Sequence, residues 1–386
     1  MEGFVKILTD LVASEACAKP MEKPLDAALP QSFWELLYKV AKAQDLAHLV
    51  GSALSNQNAM PEGEIAKKLE KQMLTAVYRY QRLHYEYMRM CDTLEGAGIP
   101  FVPLKGSVIR AYYPESWMRT SCDVDILVHE QDLDRAVEAL CTSLDYRAEE
   151  ERHYHDISLY SPSGIHLELH FNILESMENI DGLLSRVWEF CSPAQDRKYE
   201  HRQSNEYLVF HSIAHMSYHF IMGGCGIRPF LDLYLLKHKM GYDEKTVRSY
   251  CRECGLERFY DAALEMSEIW FGGQKPTALC KEMESYLLSG GIYGTRENVI
   301  AMEQERKGGK GKYLVGRIFM PYSDLRLQYP ILKRHKLLYP FCLICRWGRL
   351  LFGGRMASSV RELKMTRNID TDRAKAMSAL FREVGL

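Results

Sequence analysis

Long hydrophobic runs are missing from this 386-residue chain. The best stretch, Tyr339 to Phe352, is cut by Arg346 and Arg349, and so falls short of the roughly 20 apolar residues that a membrane-spanning helix needs. No transmembrane segment is expected. The opening residues carry Glu2 and Asp10 where a secretion signal requires a positive start and an unbroken apolar stretch. The cytoplasm is therefore the expected compartment. One-sided charge is lacking as well: 49 Lys and Arg face 51 Asp and Glu, a net charge of -2 that says little about partners. A disulfide framework is also not expected, because the 11 cysteines are odd in number, scattered, and often in apolar contexts that suit reduced thiols. No convincing internal repeat is present.

What remains is the balance of an ordinary globular protein, 47% hydrophobic and 26% charged. Its length suggests about two or three domains. Residues 1 to 60 read as short helices, with Phe4, Ile7, Leu8 and Leu11, then Phe33, Leu36, Leu37 and Val40, at helical spacing; this part shows no chemistry. Glu62 to Leu94 predicts a longer helix, stopped by Gly96 and Gly98. Its Tyr78, Tyr80, Tyr85 and Tyr87 would allow base stacking, but a packing stripe with polar tips is the favoured reading. Beyond Pro193 the helical period returns, in segments Tyr207 to Met222, Arg228 to Lys239, Glu244 to Cys254 and Arg258 to Trp270. Lys307 to Lys312 reads as an exposed flexible loop, and a last helix is expected after Asp370 or Thr371.

The chemistry lies between Leu104 and His170. Phe101 to Leu104 predicts a strand that runs through Gly106-Ser107 into a helix from Ser107 to Tyr113. Such a junction offers free backbone N–H groups and the positive end of a helix dipole, a place for phosphate. Asp123 to Val128 predicts the next strand, followed by a helix from about Gln131 to Leu144. In a strand, side chains alternate faces, so Asp123 and Asp125 share one patch while Val124, Ile126 and Val128 point into a core. Like charges that close raise each other's pKa, and a divalent cation relieves them. Pro162-Ser163-Gly164 then predicts a hairpin turn between strands Ile157 to Ser161 and Ile165 to Phe171. In the second strand, Glu168 sits between His166 and His170 on the polar face. Pairing it beside the Asp123 strand would bring a third carboxylate to the same edge.

Gly-Ser, then Asp-x-Asp flanked by hydrophobic residues, then a later acidic residue among hydrophobic ones, resembles the polymerase-beta-like nucleotidyltransferase superfamily. More narrowly, Pro103-Leu104-Lys105-Gly106, the Tyr-Tyr-Pro at 112 to 114, Arg119, Cys122 to Val128, Glu168-Leu169-His170 and Ile227 to Leu233 are similar to a bacterial branch called nucleotidyltransferase family proteins. The resemblance covers about residues 95 to 240. It implies an α+β fold: a small mixed sheet with helices in a catalytic core at 96–195, between an N-terminal helical region at 1–95 and a C-terminal helical domain at 196–386. It implies transfer of a nucleoside monophosphate from a nucleoside triphosphate such as ATP to a hydroxyl acceptor, which is a small molecule, a protein or RNA. Two divalent ions, Mg²⁺ or Mn²⁺, would be held by Asp123, Asp125 and Glu168, with Glu168 alternatively the base for the acceptor hydroxyl. Gly106, Ser107, Lys105 and Arg119 would bind the nucleotide, though Arg119 also has the option of pairing with an acidic neighbour. His170, Arg228 and Asp232 would stand behind the site.

Two features depart from parts of the superfamily: the spacing from Ser107 to Asp123 is longer than in its most compact members, and a lysine stands before Gly106 where many relatives of other branches have a hydrophobic residue. Other constellations compete. His211, His215 and His219 lie four apart on one helix and pairs of them could hold zinc, but the metalloprotease His-Glu-x-x-His is absent. They are expected to pack against the core, one lining the substrate cleft. Cys251-x-x-Cys254 and Cys342-x-x-Cys345 are far apart, and the second pair reads as a buried helix face. From Lys333 to Arg367, nine Lys or Arg meet one acidic residue. That stretch could draw RNA, a membrane surface or nucleotide, or cover the acidic core of its own chain. A catalytically degenerate relative, binding nucleic acid or protein through this basic region, is the rival to the enzyme.

Overall fold

The computed structural model describes residues 2–21, 23–149, 152–289, 298, 300, 311, 319–322, 325–326, 329–333, 335–352 and 371–386. Residues 307–310 and 312 of the expected loop, and Arg334 and 353–367 of the basic stretch, lie outside them. The chain begins with helices α1 (Glu2–Ala16), α2 (Gln31–Ala43), α3 (Ala47–Asn56) and α4 (Glu64–Gly96). α4 stops where Gly98 takes a left-handed φ of 66° and the Ile99 N–H turns back to the Leu94 carbonyl at 3.1 Å. Then come β1 (Phe101–Pro103), α5 (Gly106–Ile109), β2 (Asp123–Val128), α6 (Leu133–Leu144), β3 (Arg147–Ala148), β4 (Asp156–Tyr160), β5 (His166–His170) and α7 (Glu178–Leu184). A small ribbon of β6 (Cys191–Pro193) and β7 (His201–Gln203) leads into α8 (Asn205–Ile221), α9 (Arg228–Leu235), α10 (Glu244–Glu253), α11 (Glu257–Ser267) and α12 (Ala278–Leu288). The described tail contains α13 (Tyr339–Phe352) and α14 (Thr371–Val384). No helix among the described residues is long and apolar enough to cross a membrane.

The sheet is mixed, in the order β1-β2-β5-β4-β3. β2 and β5 run parallel, with Asp123 opposite His166 and Asp125 opposite Glu168, while β4 returns antiparallel on the far side of β5. The expected neighbours are therefore neighbours. The β4–β5 turn closes as expected through Gly164, at φ 80°, whose N–H donates to the Ser161 carbonyl at 2.9 Å. One face of the sheet is dry: Val124, Ile126, Val128, Leu167 and Leu169 pack with Leu83, Met90 and Leu94 of α4 and Leu133, Ala136 and Leu140 of α6. The opposite face presents Asp123, Asp125 and Glu168, which stay half-buried.

Two local expectations differ from the structure. The helix foreseen from Ser107 to Tyr113 is a single turn, α5, followed by a 3₁₀ turn at Arg110–Tyr112. On α4, Tyr78 and Tyr85 are 61% and 63% exposed, so they are not part of a packing stripe. Arg82 and Arg89 instead lie over their rings, each 5.5 Å from the centroid. The dry face of α4 is formed by Leu69, Ala76, Leu83, Met90 and Leu94; Tyr78 and Tyr85, two positions beyond Ala76 and Leu83, point outward, whereas Tyr87 packs against the core as expected.

Candidate active site

The acidic patch opens into a cleft of about 350 Å³ between the sheet and helices α8 and α9. Lys105, Gly106, Arg119, Asp123, Asp125 and Glu168 line one side; His215, His219, Arg228 and Asp232 line the other, with Asp45 from the α2–α3 corner. Alternation along β2 and β5 aims the carboxylates here, because their intervening Val124 and Leu167 are locked in the dry core.

The three carboxylates titrate apart. Asp123 is pushed up to about 6 by burial and by the negative charges of Asp125 and Glu168. Burial would also raise Asp125, but the His170 hydrogen bond and the positive charges of His170 and Lys105 hold it well below the usual carboxylate range. The His170 bond likewise lowers Glu168. His170 is 5% exposed, and its Nε2 stands 3.1 Å from Asp125 Oδ1 and 3.5 Å from Glu168 Oε2. Burial would lower the imidazole, yet these two carboxylates raise it to about 9. The pair thus already attracts a positive charge. Its other nitrogen, Nδ1, is buried with no hydrogen-bond partner.

The donor set fits a divalent cation. Ligating atoms of Asp123, His166 and Glu168 lie within 4.8 Å of one another, as do those of Asp125, Glu168 and His170. Carboxylate oxygens are the hard donors that Mg²⁺ and Mn²⁺ take, and a cation would relieve the repulsion that raises Asp123. No cysteine joins a ligand cluster among the described residues: Cys251 and Cys254 are buried with their thiols pushed up, and Cys342 is buried while Cys345 is exposed.

The phosphate loop differs from its expected form. Ser107 does not line the cleft, and its N–H donates to the Leu104 carbonyl at 3.1 Å; the N–H groups of Val108 and Ile109 donate to Lys105 O at 3.0 and 2.8 Å. These groups close a tight turn on themselves, around Lys105 at φ 37°, and are not free for phosphate. Gly106 has a different requirement: a Cβ there would lie 2.5 Å from the Arg119 guanidinium. Arg119 takes its acidic neighbour. Its Nε lies 3.0 Å from Asp232 Oδ1 and its Nη2 2.9 Å from Oδ2, and Tyr113 donates to Oδ1 at 2.7 Å. Arg228 donates to Asp45 Oδ2 and to the Thr120 carbonyl, both at 3.1 Å. Asp232 and Arg228 therefore brace the cleft walls through Arg119 and Asp45, and only His170 of the three background residues touches the carboxylates.

The sequence reading missed Glu175 and Asp45. Glu175 is 8% exposed and accepts from His215 Nδ1 at 2.7 Å, beside Lys105 Nζ at 3.1 Å from the same nitrogen. Its position five residues after His170, the last residue of the β5 polar face, was the one available signal. The expectation that one helix histidine lines the cleft holds for both His215 and His219.

No curated protein matches the chain. The solution structure of the antibiotic-resistance factor ANT(2'')-Ia, described as revealing substrate-regulated conformation dynamics, is similar at 12% identity and a TM-score of 0.28, covering 50% of this chain and 91% of that one. Residues 30–272 match the model of a family described as uncharacterised nucleotidyltransferase, a span that holds the whole sheet, its carboxylates and helices α8 and α9. The chain belongs to this nucleotidyltransferase family and is a transferase of phosphorus-containing groups.

Proposed function

We propose that this enzyme moves a nucleoside monophosphate from a nucleoside triphosphate, ATP included, to a hydroxyl acceptor, with Mg²⁺ or Mn²⁺ held by Asp123, Asp125 and Glu168. The observation that carries the reading is the parallel register of β2 and β5, which sets Asp125 beside Glu168 with Asp123 on the same face at the cleft. A divalent cation bound there would neutralise charge growing on the attacking and leaving oxygens. His170 fixes the orientation of Asp125 and Glu168. Lys105 puts positive charge at the donor side, while Arg119, its charge met by Asp232, keeps its Nη1 against Gly106. The acceptor, whether small molecule, protein or RNA, enters along the α8–α9 wall.

Pyrophosphate release, or incorporation of labelled nucleotide, over a panel of acceptors tests the activity. Asp123→Asn with Asp125→Asn is expected to abolish Mg²⁺-dependent nucleotide binding. Unchanged binding would overturn the site assignment.

A further inference from the structure

His215 has chemistry that the carboxylate site does not use. It projects from α8 into the cleft that holds Asp123, Asp125 and Glu168, with its side chain 33% exposed. Its Nδ1 lies 2.7 Å from Glu175 Oε1 and 3.1 Å from Lys105 Nζ. A ring nitrogen either donates or accepts, so it can serve one of these at a time. Glu175 decides which. Burial would raise this carboxyl, but the bond from His215 and the nearby positive charges bring it down to about 2, so it is a carboxylate at neutral pH. A carboxylate at 2.7 Å requires the proton on Nδ1, which leaves the lone pair on Nε2. No hydrogen-bond partner takes Nε2 among the described residues.

The charged and titratable groups around this ring are Glu175 from the segment after β5, Lys105 from the β1–α5 turn, Asp125 of β2, and His211 and His219 on α8 itself. Burial and Lys105 lower the imidazole, outweighing Glu175 and Asp125, which raise it. The ring is neutral at pH 7, as a proton acceptor must be. A carboxylate behind an imidazole both selects the tautomer and stabilises the cation formed when Nε2 takes a proton, the arrangement that makes a histidine a base.

We propose that His215, oriented by Glu175, is the general base for the acceptor hydroxyl. This rests on the nucleotidyl-transfer reading and assigns its acceptor side. Nε2 takes the hydroxyl proton as the O–H bond breaks. The electron pair left on that oxygen forms the bond to the α-phosphorus, and the bond from the α-phosphorus to the bridging oxygen breaks, its pair leaving with pyrophosphate. Glu168 then acts as a cation ligand and not as the base. Donor phosphates held at the sheet and a base on the facing helix place the acceptor oxygen between them, the geometry that in-line attack requires.

The experiment uses the full chain, a nucleoside triphosphate with Mg²⁺, and whichever acceptor in the panel, water included, gives most pyrophosphate. His215→Gln and His215→Ala are expected to lower kcat by ~10²–10⁴-fold with nucleotide affinity unchanged. Added imidazole should restore part of the rate of His215→Ala, which a merely structural role would not allow. Glu175→Gln should move the acidic limb of kcat/KM to lower pH, since the imidazolium loses its carboxylate. A His215→Gln enzyme that keeps wild-type kcat, or a His215→Ala enzyme indifferent to imidazole, overturns the assignment. These outcomes stand apart from failure of the underlying reading, which would appear as Mg²⁺-dependent nucleotide binding that survives Asp123→Asn/Asp125→Asn.

Discussion

At the scale of single residues, the wall of the cleft is braced by a buried ion pair. Arg119 and Asp232 are each 8% exposed at the side chain, so both have lost most of their water, and their two-pronged contact with Tyr113 behind it is what compensates. Asp232→Asn leaves Arg119 buried without its counter-charge and is expected to cost ~3–5 kcal/mol of stability, read from urea unfolding. Gly106→Ala presses a Cβ onto the same guanidinium and should cost ~1–3 kcal/mol, with nucleotide binding weakened because Lys105 and Arg119 shift. The glycine was legible in the sequence, but for a different reason: it stood out as a phosphate contact, whereas its neighbour is an arginine 13 positions on, which no local pattern encodes.

At the scale of elements, β2 and β5 carry the three carboxylates, and α4 and α6 cover the dry face of these strands. Leu167 is fully buried, directly between His166 and Glu168, so Leu167→Ala is expected to destabilise the protein by ~2–5 kcal/mol. Glu168→Gln, by contrast, should leave unfolding nearly unchanged while Mg²⁺-dependent nucleotide binding falls; calorimetric titration compares the two. Period-two alternation made both strands and their polar faces readable, and the hairpin turn at Gly164 followed from its residue type. The phosphate loop was not readable in the same way. A strand–Gly–Ser–helix pattern predicts free N–H groups only if the helix continues, and here it is one turn long with the amides of Ser107, Val108 and Ile109 bonded back to Leu104 and Lys105.

At the scale of the whole molecule, segments far apart in the chain converge on one cleft. Asp45 arrives from the N-terminal helices to meet Arg228, and Glu175 ties the sheet edge to His215 on α8. The second tie is pH-dependent. Glu175 sits at about 2 against an ordinary 4.5, so its contribution is present in full above about pH 4.5 and disappears as pH falls toward 2. Wild-type protein is expected to exceed Glu175→Gln by ~2 kcal/mol at pH 7, the gap closing across that window in urea melts run at successive pH values. Divalent cation should act at this scale too: Mg²⁺ binding to the folded chain raises the melting temperature, and the shift should vanish in Asp123→Asn/Asp125→Asn.

The sequence by itself determined the local rules: that Asp123–Val128 and His166–His170 are strands, that Asp123 and Asp125 share a face, that Glu168 alternates with leucines, and that no apolar run spans a membrane. Those follow from periodicity and residue type within a few positions. Tertiary structure decided the rest: that Asp125 stands opposite Glu168, that Arg119 is claimed by Asp232, and that His215 leans on Glu175. These partners lie 43, 113 and 40 residues apart, and what joins them is not pattern but the packing of one hydrophobic face against another, which carries the polar faces along with it.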